Sequence, residues 1–300
     1  MTADVMPRLR RFAKKPLPDK LKSVGFRFTS IVSHSAAMLN IPVPIRLDFG
    51  AWWLARNDHV GRPLRNGEFE PNELAFVARF VKPGMTVLDL GAHHGLYSLL
   101  ASKRVGSRGR VFAFEPSPRE RAALRLHLKL NLCRNVTVER VALGNENTES
   151  DLHVVDSWAV GCNSLRPPDV AEKTSLERVR VTKLDDWLTE RKIGAVDFIK
   201  LDVEGGELAA LQGATHLISN RPRPVILAEV QDVRTRPWGY QAKEIIDFLG
   251  SRDYRWFSLQ TGASIASLDV TAAEFDGNFV ACPAESCSEL IAMVSPCLQP

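Results

Sequence analysis

Apolar positions along this chain follow two periods. Behind Asn72, a residue suited to cap a helix, Leu74, Val77, Ala78 and Val81 recur at helical spacing. They predict a helix over 72–80, stopped by Lys82-Pro83-Gly84. Short apolar runs then alternate with helical stretches. Strands are expected over 86–90, 111–114 and 136–140, the last extending to Leu143. A helix is expected after Gly95, carrying Leu96, Leu99, Leu100 and Val105. Another is expected from Ser117-Pro118, where proline suits the first turn, to about Asn131.

A less regular stretch follows over 145–178, with short strands expected near 152–155. Regular alternation then resumes: helix 184–191, strand 196–202, helix 207–219, strand 225–230, helix 241–249, strand 254–259 and a final strand over 279–282. Strands with few polar positions, separated by helices, imply a doubly wound, Rossmann-like α/β fold. Its sheet is mostly parallel and covered by helices on both faces. No internal repeat is present. Residues 1–70 read as a separate N-terminal extension, broken by Pro16, Pro18, Pro42 and Pro44. Trp52 and Trp53 lie within it near Phe49. They either cover a substrate pocket or pack as a small satellite core, the commoner fate of paired aromatics. The expected organisation is an extension over 1–70, a catalytic domain over 71–285 and a tail over 286–300.

The strand over 86–90 ends in Asp89-Leu90-Gly91-Ala92-His93-His94-Gly95. Gly91 suits the sharp turn, and Asp89 is carried near the carboxyl end of its strand, where open α/β sheets bind ligands. A second acid, Glu115, ends the next apolar run and is placed to accept from ribose hydroxyls. A dinucleotide fingerprint needs glycine where this chain has His93, and no P-loop pattern exists. A cofactor with a ribose but no phosphate fits better, and S-adenosyl-L-methionine is such a molecule.

At this point the chain resembles the FkbM-type family of class I S-adenosylmethionine-dependent methyltransferases. The likeness runs through Val87-Leu88-Asp89-Leu90-Gly91-Ala92-His93-His94-Gly95, Val111-Phe112-Ala113-Phe114-Glu115-Pro116, Val141-Ala142-Leu143-Gly144 and Val181-Thr182-Lys183-Leu184-Asp185. Its most specific block is Ile199-Lys200-Leu201-Asp202-Val203-Glu204-Gly205-Gly206-Glu207, followed by Leu211-Gln212-Gly213-Ala214 and Pro224-Val225-Ile226-Leu227-Ala228-Glu229. It spans about residues 71–283. The resemblance implies a seven-stranded sheet whose last strand is antiparallel and inserts between the fifth and sixth. It also implies that Asp89, Gly91, His93, Gly95, Glu115, Pro116, Ala142 and Leu143 hold the cofactor. The family usually has Asn where this chain has His93; a histidine there can still donate or accept. His93 and His94, beside the cofactor loop, are expected to orient the methionine tail, with a role as base as the alternative.

Methyl transfer from a sulfonium is an in-line displacement on carbon, so an alcohol acceptor must be positioned and relieved of its proton. Strand side chains alternate, so Phe198, Lys200 and Asp202 share one face, with Asp202 at the carboxyl end beside the cofactor crevice. Glu204 follows in a turn bent at Gly205-Gly206, and Glu229 ends the neighbouring strand. Three carboxylates at one mouth would raise at least one pKa, as a general base requires. Asp202, Glu204, Lys200 and Glu229 are therefore the catalytic candidates. Bland readings stand beside them: Lys200 paired with Asp202 or Glu229, and Glu204 capping the next helix. Catechol-type O-methyltransferases hold Mg²⁺ at places analogous to Asp202 and Glu229. No third ligand is evident, and no metal is assigned. Ser157, Asn163 and Ser164 are weaker candidates for substrate contact on a loop.

Composition refines the picture. Hydrophobic content of 45% and charge of 25% are ordinary for a globular protein. The five cysteines, Cys133, Cys162, Cys282, Cys287 and Cys297, form no C-x-x-C pair, so reduced thiols in a cytoplasmic setting are expected. The first 46 residues carry nine of the 39 basic and two of the 35 acidic residues, so the remainder is slightly acidic. The basic leader is read first as a solvated arm; its alternative use is contact with an anionic membrane face or nucleic acid. No apolar run is long enough for a transmembrane helix. The expected acceptor is a hydroxyl on a small metabolite, sugar or glycan. Nucleic-acid methylation is an alternative that the slightly acidic core and the missing N/D-P-P-Y/F turn disfavour; a non-catalytic cofactor-binding protein is another. Oligomeric state is not readable.

Overall fold

The structure, a computed structural model, describes residues 41–58, 60–155 and 162–294. The leader over 1–40, Ser157, Cys297 and the end of the tail lie outside these residues. Strands among them are numbered in chain order: β1 (Val43–Arg46), β2 (Trp52–Ala55), β3 (Thr86–Leu90), β4 (Arg110–Phe114), β5 (Val136–Glu139), β6 (Val141–Leu143), β7 (Thr148–Val155), β8 (Thr174–Thr182), β9 (Phe198–Leu201), β10 (Val225–Gln231), β11 (Tyr254–Leu259), β12 (Ile265–Ser267) and β13 (Asp276–Pro283).

Eight strands form one sheet in the order β12-β11-β13-β10-β9-β3-β4-β5. The five from β10 to β5 are parallel; β13 runs antiparallel between β10 and β11. Chain order leaves β3 toward β4 and β5 on one side, and returns at β9 and β10 on the other. The topological switch point therefore lies between β3 and β9, where such sheets bind ligands.

Alternation along the strands explains the two helical layers. Leu88, Leu90, Phe112, Ile199 and Ile226 face the helices Leu184–Glu190, Glu207–Gln212, Thr215–Ser219 and Lys243–Gly250. Val87, Val111, Phe198 and Val225 face Pro71–Phe80, Leu96–Val105 and Cys287–Val294. Each fully buried Leu or Ile contributes about 1.5–3 kcal/mol relative to exposure. Asp89 and Lys200 share the second face with Val87 and Phe198, which sends their side chains toward the helix Leu96–Val105.

Several elements differ from expectation. The run over 136–143 breaks after Glu139. β5 stays in the main sheet, while β6 joins β8 and β7 in a separate three-stranded sheet. Within the stretch over 145–178, the last residues open β8 and Thr148–Val155 form β7. Its first half, Thr148 to Asp151, is polar on both sides and gives no alternation signal. An eighth strand, β12, extends the edge of the expected seven. The helix over 207–219 splits around Gly213, which packs against the Gly144 carbonyl; Asp185 accepts from the backbone N–H of His216 and Leu217, starting the second helix. Asn72 is not a cap: the helix starts at Pro71, behind Glu70 in a left-handed conformation.

In the extension, β1 and β2 form a hairpin, followed by the helix Gly61–Asn66. Trp53 is buried against Leu96, Leu99, Leu124 and Leu128, and its ring stacks on His127 at 3.9 Å. The hairpin is thus part of the core rather than a satellite of it. No helix of the described residues is long and apolar enough to cross a membrane.

Candidate active site

The register of the sheet sets a row of four residues at its carboxyl edge. Leu90 pairs with Phe114 and Leu201, and Leu201 pairs with Ala228. The next residue on each strand is Gly91, Glu115, Asp202 and Glu229. All four line one cavity of about 440 Å³. Lys200, Glu204, Asp89, His93, Pro116, Ala142 and Leu143 line it too, so the sequence candidates converge on one space. Gly95 does not line it. This glycine turns the chain into the helix at φ 89°, where a Cβ would lie 2.2 Å from the Leu124 side chain.

Two turns lock together behind the row. Gly91 has φ 82°, and a Cβ there would lie 1.7 Å from the Asp202 carbonyl oxygen. The Asp202 N–H in turn donates to the Leu90 carbonyl at 3.0 Å. Glu207, fully buried, accepts from the N–H groups of Val203 (2.9 Å) and Gly205 (3.2 Å), which fixes the turn carrying Glu204. Burial pushes the Glu207 carboxyl up to about 7.

At one end of the cavity Glu115 accepts from His93 N–H and Ser117 N–H, both at 2.8 Å, one on each carboxylate oxygen. Each oxygen keeps a further lone pair, which suits a vicinal diol. Burial raises its pKa to about 8, an effect that the Glu120 charge reinforces and the two N–H donors oppose. Below the turn, Asp89 accepts from the Ser98 hydroxyl at 2.5 Å and is pushed by burial to about 6. The His93 and His94 rings stack at 3.8 Å, and His94 Nε2 lies 2.8 Å from Glu120. Asn163 and Arg119 also donate to Glu120. Burial opposes ionisation of Glu120, but His94, His93 and Arg119 outweigh it and hold the carboxyl near 2.

At the other end the acids gather. Carboxylate oxygens of Asp202, Glu204 and Glu229 lie within 4.8 Å of one another. Lys200, fully buried, donates to Asp202 (3.1 Å) and to Asn278 Oδ1 (3.0 Å). Burial pulls its pKa down, yet Asp202, Glu70 and Glu229 outweigh this and keep it charged. Glu204 faces Arg234 Nε at 3.1 Å as an ion pair not aligned as a hydrogen bond. Glu229 Oε2 is buried and has no hydrogen-bond partner. Burial raises both Glu204 and Glu229 well above the usual carboxylate range, and the neighbouring acids add to it, Glu229 and Asp202 on Glu204, Asp202 and Glu207 on Glu229.

Sequence reading missed several members of this cluster. Glu70 accepts from the Tyr97 hydroxyl and from Asn278, and burial raises its pKa against the pull of Lys200. The Tyr97 ring lies 5.2 Å from the Lys200 ammonium. Arg234 and Trp238 also line the cavity. Of the loop candidates, Asn163 lines the cavity, whereas Ser164 donates to the Glu204 carbonyl at 2.7 Å and stabilises that turn. Two donor sets suit a cation. Asp202, Glu204 and Glu229 offer hard oxygens, with Glu204 as the third ligand not foreseen beside Asp202 and Glu229; His93, His94 and Glu120 offer a mixed set.

The Methyltransferase FkbM domain matches residues 89–256. The 2-O-methyltransferase NoeI of Sinorhizobium fredii is 24% identical over 187 residues, covering 58% of this chain and 75% of NoeI. The ribosomal RNA large subunit methyltransferase E of Nitrobacter winogradskyi is 45% identical over 74 residues, 21% of this chain and 32% of that enzyme. Among solved structures, Aeropyrum pernix fibrillarin with bound S-adenosyl-L-methionine aligns over 80% of this chain and 82% of its own, at 16% identity and a TM-score of 0.40. The Glu115 end fits a nucleoside with free ribose hydroxyls, the chemistry of S-adenosyl-L-methionine. The chain belongs to the FkbM methyltransferase domain family and is an S-adenosyl-L-methionine-dependent methyltransferase.

Proposed function

We propose that the protein is an O-methyltransferase acting on a hydroxyl of a small metabolite, sugar or glycan. The observation that carries this reading is the unpartnered, buried Oε2 of Glu229 beside Asp202 and Glu204. Asp202 is committed to Lys200, and Glu204 to Arg234. Glu229 is left to take the proton of an acceptor hydroxyl. S-adenosyl-L-methionine supplies an electrophilic methyl group when bound. Glu115 holds its ribose diol, and the turn from Gly91 to His93 and the Ala142-Leu143 pair complete that end. Lys200 fixes Asp202 and offsets the charge of the cluster, so the acids can stand close together. Val60, Phe69 and Glu70, from the extension, line the same cavity and make it a cap on the acceptor side.

The acidic lining, Glu70, Asp202, Glu204 and Glu229, disfavours a phosphate backbone and favours a polyol. The 2-O-directed activity in NoeI's name agrees with this choice. We place the protein in the cytoplasm, where thiols such as Cys133, Cys162, Cys282 and Cys287 stay reduced. The test is to supply methyl-labelled S-adenosyl-L-methionine with panels of free sugars, glycosides, polyols and RNA. A labelled O-methyl resonance on a hydroxyl acceptor is expected; transfer to nitrogen or to RNA instead would overturn the reading.

A further inference from the structure

One corner of the molecule gathers apolar side chains that no other described residue covers. Among the described residues nine large hydrophobic side chains are well exposed. Four of them, Trp52, Leu126, Leu130 and Leu132, belong to the start of β2 and to the helix Pro118–Leu130 with its end. Their exposure runs from 42% to 79%. Single exposed leucines are ordinary; a concentration of this kind marks an interaction surface.

The helix buries Leu124, His127 and Leu128 against the core. Its opposite side carries Leu126 and Leu130 one turn apart, with Arg125 and Lys129 on the adjoining row, all exposed. Trp52 is pinned at the helix end: its N–H donates to Asn131 Oδ1, and Asn131 Nδ2 donates back to the Trp52 carbonyl, both at 2.7 Å. Arg46 lies over the Trp52 ring at 5.7 Å. Arg125, Lys129 and Arg134 have no carboxylate partner among the described residues. The one acid of the helix, Glu120, is buried, and the hairpin contributes only Asp48.

We infer that this face docks the protein on an anionic lipid bilayer. Leucines and a tryptophan beside exposed Lys and Arg are the chemistry of an interfacial helix: the apolar groups enter the headgroup boundary and the cations meet lipid phosphates. The leader adds to the same attraction. Eight more basic residues against two acidic ones lie within 1–40, which directly precede this hairpin in the sequence. Several weak cationic contacts beside an apolar anchor give reversible binding that salt weakens. The helix that carries this face starts three residues after Glu115, so one element joins the face to the cofactor end of the cavity.

Flotation of the full-length protein tests this. Vesicles of phosphatidylcholine alone are compared with vesicles holding about 30 mol% phosphatidylglycerol, at about 0.1 M and about 0.5 M salt. Binding is expected only to the anionic vesicles, and only at low salt. Leu126→Gln with Leu130→Gln, and separately Arg125→Glu with Lys129→Glu, are each expected to lower the partition coefficient about tenfold. Circular dichroism and S-adenosyl-L-methionine affinity should not change. Three outcomes overturn the inference: no binding to anionic vesicles; variants that bind as wild type does, leaving the leader as the sole contact; or light scattering that shows a dimer dissolved by the leucine changes, which makes a second copy the occupant.

Discussion

At the scale of single residues the chemistry turns on which carboxylate has a free oxygen. Asp202 and Glu204 each face a cation, and Glu229 does not share its Oε2. Glu229→Gln keeps the shape and removes the base. We expect kcat to fall about 10²-fold or more, with S-adenosyl-L-methionine affinity kept. Burial raises the Glu229 pKa, so the wild-type rate should climb with pH along a limb displaced above the ordinary carboxylate range. That limb should vanish in the variant. Equal pH profiles would assign the base elsewhere. The acids at strand ends were legible in the sequence, because strand length and period fix where a strand-end residue stands. Glu70, Tyr97 and Asn278 were not. Glu70 and Asn278 meet across 208 positions, and nothing local marks either.

At the scale of elements, the site is a consequence of register. Gly91, Glu115, Asp202 and Glu229 follow paired positions on four adjacent strands, so one sheet edge presents them together. Contact between the two turns tightens this edge. Gly91→Ala places a Cβ against the Asp202 carbonyl at a positive φ. The left-handed conformation alone costs about 1–3 kcal/mol, and the clash adds to it. We expect a lower urea midpoint and weakened cofactor binding; a wild-type midpoint would mean that the turns are not coupled. The alternation of buried strands and helices was readable from apolar runs. The sheet of β6, β7 and β8 was not: its strands are short or two-sidedly polar, and pairing distant in sequence decides them.

At the scale of the whole molecule, buried acids set the response to pH. Glu115 and Glu207 have folded-state pKa values near 8 and 7, above the values expected when unfolded, and Glu204 and Glu229 are raised as well. Between pH 6.5 and 8 the folded protein therefore holds more protons than the unfolded chain, and stability falls as pH rises. His127, lowered to about 4 by burial, acts in the opposite sense but only below its unfolded value of about 6.5. Thermal melts of the cofactor-free protein should shift downward from pH 6.5 to pH 8; an upward shift would mean that these carboxyls ionise freely. The central claim is that the raised carboxyl at the end of β4 grips the cofactor's ribose. Calorimetric titration of S-adenosyl-L-methionine into wild type and Glu115→Ala tests it most directly. Wild type should bind, and the variant should lose about 1–3 kcal/mol, the cost of leaving ribose hydroxyls without their acceptor. Equal affinities, or no binding by wild type, would contradict it.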